Sequence, residues 1–202
     1  MENEIKERLM DKAKSYFKEG ESHEFDHTKR VLRNALTIAE TEEVDLEVVH
    51  IAALLHDIMR SHEDLGKINC HAEEGAKEAE IILREFKFPE EKISKVLDSI
   101  KTHRLSKNLK PETKEGEILQ DADRLDSLGA LLVARSFSSA YIYNRPFYSE
   151  EGDNVIKFIK DRSEKLKPEN FNTSKGKELA KERYDYSESF IERFIKEWSG
   201  KK

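Results

Sequence analysis

Four side chains in this sequence, His27, His56, Asp57 and Asp123, make a mixed nitrogen and oxygen donor set suited to a divalent metal ion. His56 and Asp57 are adjacent and close an apolar run, Ile51-Ala52-Ala53-Leu54-Leu55. Neighbours on a helix point about 100° apart, so both reach one ion only if the end of the helix faces it. Two imidazoles with two carboxylates suit Mn, Fe, Co, Ni or Zn better than Mg, which prefers oxygen shells. An octahedral ion held by four side chains keeps positions open for water and substrate, the arrangement of metal-assisted hydrolysis. Each residue alone has a plainer explanation. His27 could be a hydrogen-bonded core histidine, and Asp57 or Asp123 could cap a helix or pair with Arg30 or Arg124. The set as a whole favours an ion, because burying so many titratable groups without one is costly.

The elements that must carry these residues read as helices. Gly and Pro are scarce, at 8 and 4 residues, and most segments repeat apolar positions every three to four residues. A first helix is expected over 2–18, ending near Gly20. A second starts at Asp26 and buries His27, Val31, Asn34/Ala35 and Ile38. Asp45 caps a third that runs through His56-Asp57 to Met59. Asn69 is expected to cap a fourth, whose Ala72, Ala76 and Ala79 permit close packing. Pro89 opens a fifth that runs out at His103. Residues 104–114 read as a loop, a sixth helix carries Asp123, and 128–140 read as a buried helix. After an irregular stretch at 142–153, the C-terminal helices over 152–199 are expected to pack on the rest. Tyr186, Phe190, Phe194 and Trp198 recur at four-residue steps, a packing stripe. The fold class is all-α: a compact multi-helix bundle forming a single domain over 1–202.

Charged residues make up 39% of the chain and hydrophobic ones 37%, and the net charge is −6. An acidic balance gives no electrostatic footprint for duplex nucleic acid. No run approaches the roughly 18 apolar residues of a membrane span, and the charged N-terminus has no signal-peptide core, so a cytoplasmic protein is expected. Cys70 is the only cysteine, which rules out an intramolecular disulfide. No Walker loop or dinucleotide-binding glycine pattern occurs.

The motifs HEFDHTKRVLRNA, AALLHDI and LQDADRLDSLGA, with HAEEGA and IKTHR between them, resemble the HD-domain metal-dependent phosphohydrolase superfamily, and within it a bacterial and archaeal branch of small single-domain hydrolases. The likeness spans about 20–140. It implies His27, His56, Asp57 and Asp123 as metal ligands, with Asp57, His71 and His103 in catalysis. The small-hydrolase branch implies one ion, with His71 and His103 serving the substrate or its leaving group. Some HD families hold two ions and place two further histidines in this order. The implied substrate is a small phosphorylated molecule, a nucleotide losing phosphate or pyrophosphate.

Around that set, Arg30, Lys101, Arg104, Arg124 and Asp126 are expected to orient ligands or collect phosphate, as is Asp121. Lys107 and Lys110 could extend the same rim. In the phrase that begins at His23, Glu24 stands where the branch has Asp. His50 and His62 fall outside any constellation and read as solvated. Tyr141, Tyr143 and Phe147 could stack on a base or simply pack. Two other functions fit a metal-bearing HD fold: a di-iron oxygenase, and a nucleotide sensor without turnover. A homodimer is compatible with all of these.

Overall fold

The computed structural model describes residues 3–17 and 25–201 and resolves into two compact units, Met1–Asp123 and Arg124–Lys202. The expected Gly20 helix end, His23 and Glu24 lie outside the described residues. The chain is all-α, with no strand among the described residues and no helix there long and apolar enough to cross a membrane.

The first unit is built around a helix whose second half, residues 51–55, is apolar on every side. In order it contains α1 (Asn3–Lys14), α2 (Phe25–Ala39), α3 (Leu46–Leu55), α4 (Arg60–Asp64), α5 (His71–Glu85), α6 (Glu90–Thr102) and most of α7 (Lys114–Leu125). Val48, Val49, Ile51, Ala52, Ala53, Leu54 and Leu55 of α3 are all buried. A helical stretch without a polar face must be covered all round, and α2, α6 and α1 each pack against α3. Its start is fixed by Asp45, whose Oδ1 accepts from the backbone N–H of Glu47 at 2.9 Å and Val48 at 3.4 Å. Buried Ala72, Ala76 and Ala79 line the side of α5, which packs on α6. Asn34 Nδ2 donates to the Ala122 carbonyl at 3.2 Å, tying α2 to α7.

Several boundaries differ from the sequence expectation, among them the end of α1, which comes at Lys14 rather than near residue 18. α3 stops at Leu55 rather than Met59, so His56 is its C-cap and His56-Asp57 occupy the turn before α4. Asn69 does not cap α5: the N-cap position is Cys70, without a side-chain cap bond, and the His71 N–H is taken by Glu63 Oε2 at 2.6 Å. Pro89 is the N-cap of α6 rather than its first residue, with an extended ψ of 142°. Within the 104–114 loop, Leu105–Lys107 form one 3-10 turn, closed by Asn108 at φ 49°.

The second unit holds α8 (Gly129–Ser139), α9 (Val155–Lys165) and α10 (Ser174–Trp198), and α10 packs on the other two. Leu132, Val133, Val155, Ile156, Ile159 and Ile191 form its core, with Phe137, Phe190 and Phe194 against it. The aromatic stripe of α10 is therefore a packing surface at Phe190 and Phe194. Tyr186 and Trp198 are exposed, although the Trp198 ring stacks on Phe194 at 5.7 Å. Tyr141 and Tyr143 stand in solvent, whereas Phe147 packs edge-on to Phe137.

Candidate metal centre

Asp57 stands at the middle of a buried cluster, with one carboxylate oxygen turned to each of two imidazole pairs. Its Oδ2 lies 3.7 Å from Nε2 of both His27 and His56. Its Oδ1 lies 3.2 Å from His71 Nε2 and 3.4 Å from His103 Nε2. Within each pair the Nε2 atoms are 3.3 Å apart, His27 with His56 and His71 with His103. Asp123 Oδ1 joins the first group, 3.4 Å from His27 Nε2. His27, His56, Asp57, His71 and His103 are all buried, and Asp123 is partly open.

Each donor comes from the end or the facing side of a different element. His27 projects from the first turn of α2, His56 from the C-cap of α3, and His71 from the first residue of α5. His103 is the C-cap of α6, and Asp123 lies near the end of α7. Backbone and carboxylate acceptors hold the far sides of the rings. His56 Nδ1 lies 2.8 Å from the Ala53 carbonyl and His103 Nδ1 lies 2.7 Å from that of Ile100. His71 Nδ1 lies 2.7 Å from Glu63 Oε2. A carbonyl can only accept, and an ionised carboxylate likewise, so these three Nδ1 atoms carry the proton and their Nε2 atoms present bare lone pairs inward.

Electrostatics follow from that crowding. Burial drives the His56 pKa down to about 4, with His103 and His27 adding to the effect. Burial resists ionisation of Asp57, yet the surrounding His56, His103 and His71 hold it well below the usual carboxylate range. Asp123 is also held low against burial, chiefly by His27. Burial would lower His103, but its contact with Asp57 outweighs this and raises it. Glu63 is lowered to about 2: burial opposes this, and the His71 N–H, its ring and Arg104 prevail.

The donors fit a divalent cation. The groups His27/His56/Asp57 and Asp57/His71/His103 each bring one donor atom per residue within 4.8 Å of the others. Asp57 Oδ1 is buried and makes no hydrogen bond despite its two imidazole neighbours. Facing Nε2 lone pairs at 3.3 Å repel one another unless an acid, a proton or a metal, sits against them. Carboxylate and imidazole together suit first-row transition metals.

The other expected residues are placed as follows. Arg104 grips Glu63, Nη2 to Oε1 at 2.8 Å and Nη1 to Oε2 at 3.0 Å, and so is committed to an ion pair rather than left to collect phosphate. Lys101 is exposed on α6, and Arg30 is half-buried one turn after His27. In the second unit Arg124 donates to the Asn170 carbonyl at 2.8 Å, and buried Asp126 lies 3.5 Å from Arg135. Asp121 is buried on α7. His50 and His62, expected to be solvated, are each half-buried. His50 is half-buried beside a cavity of about 360 Å³ lined by Lys6, Glu7, Met10 and Asp11. His50 Nε2 and His62 Nδ1 are buried without a hydrogen-bond partner, and burial lowers the His50 pKa. Sequence reasoning missed Glu63; its one signal was a carboxylate six residues past Asp57, in the charged stretch Ser61-His62-Glu63-Asp64.

An all-α scaffold that gathers a histidine, a His-Asp pair and a distant aspartate from separate helices is the arrangement of HD domains. The HD-domain family model matches residues 25–128, and the chain belongs to that family. It is 31% identical to the Bacillus subtilis protein YpgQ over 188 residues, 90% of this chain and 87% of that protein. Among solved structures, a predicted HD-superfamily hydrolase from an uncultured Thermotogales bacterium is 34% identical. Its TM-score is 0.73, with 95% of this chain and 92% of that one covered. An HD-superfamily hydrolase from Bacillus thuringiensis is 31% identical with a TM-score of 0.80, covering 97% of each chain. YpgQ has also been solved in complex with ADP, at 27% identity and a TM-score of 0.73, covering 95% of this chain and 97% of that one.

Proposed function

We propose that this chain is a metal-dependent phosphohydrolase that cleaves a nucleotide phosphate ester or anhydride. The observation that carries the reading is Asp57, a buried carboxylate whose two oxygens each face their own pair of inward imidazole nitrogens. His27, His56, Asp57 and Asp123 would hold one divalent ion. The sequence favoured a single ion, but the Asp57 Oδ1, His71 and His103 group offers a second place of the same chemistry, and two ions are the reading put to test. Ions bound there would supply a water of lowered pKa and positive charge for the phosphoryl oxygens.

The chain's own residues prepare that chemistry. The Nδ1 bonds of His56, His71 and His103 fix ring tautomer and direction before any ligand arrives, so little reorganisation remains. Apolar α3 shuts bulk water away from one side, while the partial exposure of Asp123 leaves an approach on another. A nucleotide substrate is supported by the ADP complex of the relative YpgQ. The test is to strip metal with chelator, restore Mn, Fe, Co, Ni, Zn or Mg singly, and follow phosphate or pyrophosphate release from a nucleotide panel while counting bound ions. Turnover that needs metal, and is lost in Asp57→Ala, supports the reading. Full activity in Asp57→Ala refutes it. A count of one ion per chain would return His71 and His103 to contacts with substrate. Activity that requires iron and dioxygen would favour the oxygenase, and nucleotide binding without turnover would favour the sensor.

A further inference from the structure

We infer that Glu63, clamped by Arg104, is the positioning residue that makes His71 an inward-facing Nε2 donor and so builds the Asp57/His71/His103 half of the centre separately from the His27/His56/Asp57/Asp123 half. The inference rests on the metal-centre reading above.

Glu63 is on α4, His71 opens α5 and Arg104 follows the end of α6, so one carboxylate joins three segments. Its Oε2 accepts from the His71 backbone N–H at 2.6 Å and from Nδ1 at 2.7 Å. Arg104 closes on the other side, Nη2 on Oε1 at 2.8 Å and Nη1 on Oε2 at 3.0 Å. Every one of these partners is a donor, so the residue at 63 must accept at both oxygens. Among side chains only an ionised carboxylate does that. Glutamine has the same shape but accepts at one end and donates at the other. If its oxygen faces His71, its NH2 meets the Arg104 guanidinium, donor against donor. If its oxygen faces Arg104, its NH2 meets the His71 N–H and Nδ1, and the ring is driven to carry its proton on Nε2. A proton there points at Asp57 Oδ1 and His103 Nε2 and removes the lone pair a metal would use.

His56 and His103 take no support from Glu63, since backbone carbonyls hold their Nδ1 atoms. The dependence on Glu63 is therefore confined to one half of the centre. Removing a group that orients a metal-bound histidine typically costs 10- to 100-fold in metal affinity.

The experiment compares full-length wild type with Glu63→Gln and Arg104→Met, each checked for helicity by circular dichroism. Long-range 1H–15N spectra of the metal-free proteins report the His71 tautomer, and calorimetric Mn(II) titration reports ion affinities. The expected result is a proton on Nδ1 of His71 in wild type and redistribution towards Nε2 in Glu63→Gln. One ion should bind at least about 10-fold more weakly while the other is unaltered, with a smaller effect in the same direction for Arg104→Met. An unchanged His71 tautomer together with unchanged ion affinities in Glu63→Gln overturns the inference, as does equal weakening of two ions. A wild-type chain that binds one ion refutes the two-ion reading, and the tautomer spectra then decide the role of Glu63 alone.

Discussion

Asp57 is the one residue common to both donor groups, so Asp57→Asn should remove most of the stabilisation by metal at both, whereas a histidine variant should affect one. The substitution keeps the size of the side chain. It replaces one carboxylate oxygen by an NH2 whose hydrogens face imidazole lone pairs, and it removes the negative charge that offsets the cation. Loss of an outer partner already costs 10- to 100-fold, so about 100-fold is a conservative figure for a shared ligand. At a metal concentration 100 times the wild-type Kd, binding at one site stabilises the fold by about 2.7 kcal/mol; after a 100-fold loss the same concentration gives about 0.4 kcal/mol. For a chain of this size about 1 kcal/mol moves Tm by about 2–4 °C. Metal should therefore raise the wild-type Tm by about 5–11 °C per occupied site and that of Asp57→Asn by about 1 °C. The assay is differential scanning fluorimetry of chelator-treated protein with graded Mn(II) or Co(II), run beside elemental analysis of the bound metal. An Asp57→Asn protein that keeps the full metal-induced rise would show that the shared carboxylate is not a ligand, and the reasoning from its two oxygens would fail.

Away from the centre, Asp45→Ala should cost about 1–2 kcal/mol at pH 7 by urea unfolding, the usual loss for an N-cap. Asp45 is held below its ordinary pKa: burial resists this, but Lys92 and the Glu47 and Val48 N–H groups prevail. Its ionisation therefore contributes stability above an unfolded pKa of about 3.9, and that contribution fades as pH falls through the lower folded value; the gap between wild type and Asp45→Ala should narrow there. Leu54→Ala, which empties a fully buried position on α3, should lower unfolding free energy by about 2–5 kcal/mol in the same assay. Gly129 has φ +68°, and an added Cβ would lie 3.2 Å from the Arg183 side chain. Gly129→Ala should therefore destabilise by about 1–2 kcal/mol in thermal melts, and no change would show that the turn relaxes freely.

The parts that were legible in the sequence are those whose local pattern and tertiary use agree. The apolar run 51–55 continues the helical pattern that Asp45 caps and must be covered, so the polar pair that ends it faces the interior. Asp45 before Leu46-Glu47-Val48 is a capping pattern, and it caps. Glu63 was not legible because its neighbours are all polar, and any carboxylate among them reads as wet surface; what makes it special is the arrival of His71 and Arg104 from elsewhere. The same arrival displaced Asn69 as the cap of α5, since a carboxylate delivered in space was better placed than a side chain nearby in sequence. The α10 stripe packs at Phe190 and Phe194 and leaves Tyr186 and Trp198 exposed, because its period says nothing of how much of a helix its neighbours cover. His50 belongs to no constellation in the sequence and so reads as solvated; α1 packs on α3 and the residue is half-buried.

The use of helix termini explains why so compact a donor set can form without strained backbone. A helix leaves its last carbonyls without intrahelical partners. At the ends of α3 and α6 the residue three positions on is a histidine, whose Nδ1–H takes that spare carbonyl, Ala53 in one case and Ile100 in the other. Both C-cap residues keep ordinary helical backbone angles, φ −59°, ψ −35° for His56 and φ −61°, ψ −31° for His103. One hydrogen bond thus satisfies the helix, selects the tautomer and aims Nε2 beyond the helix end. The carbonyl ends of both helices also carry partial negative charge towards the point where the imidazoles meet, favouring a cation there. His71 sits at the opposite kind of end, where partial positive charge works against a cation, and it is the imidazole backed by an ionised carboxylate instead of a backbone carbonyl. Polarity of the helix end and identity of the supporting acceptor are thereby matched: carbonyls suffice at the two C-termini, and a full negative charge is spent where the dipole is unfavourable.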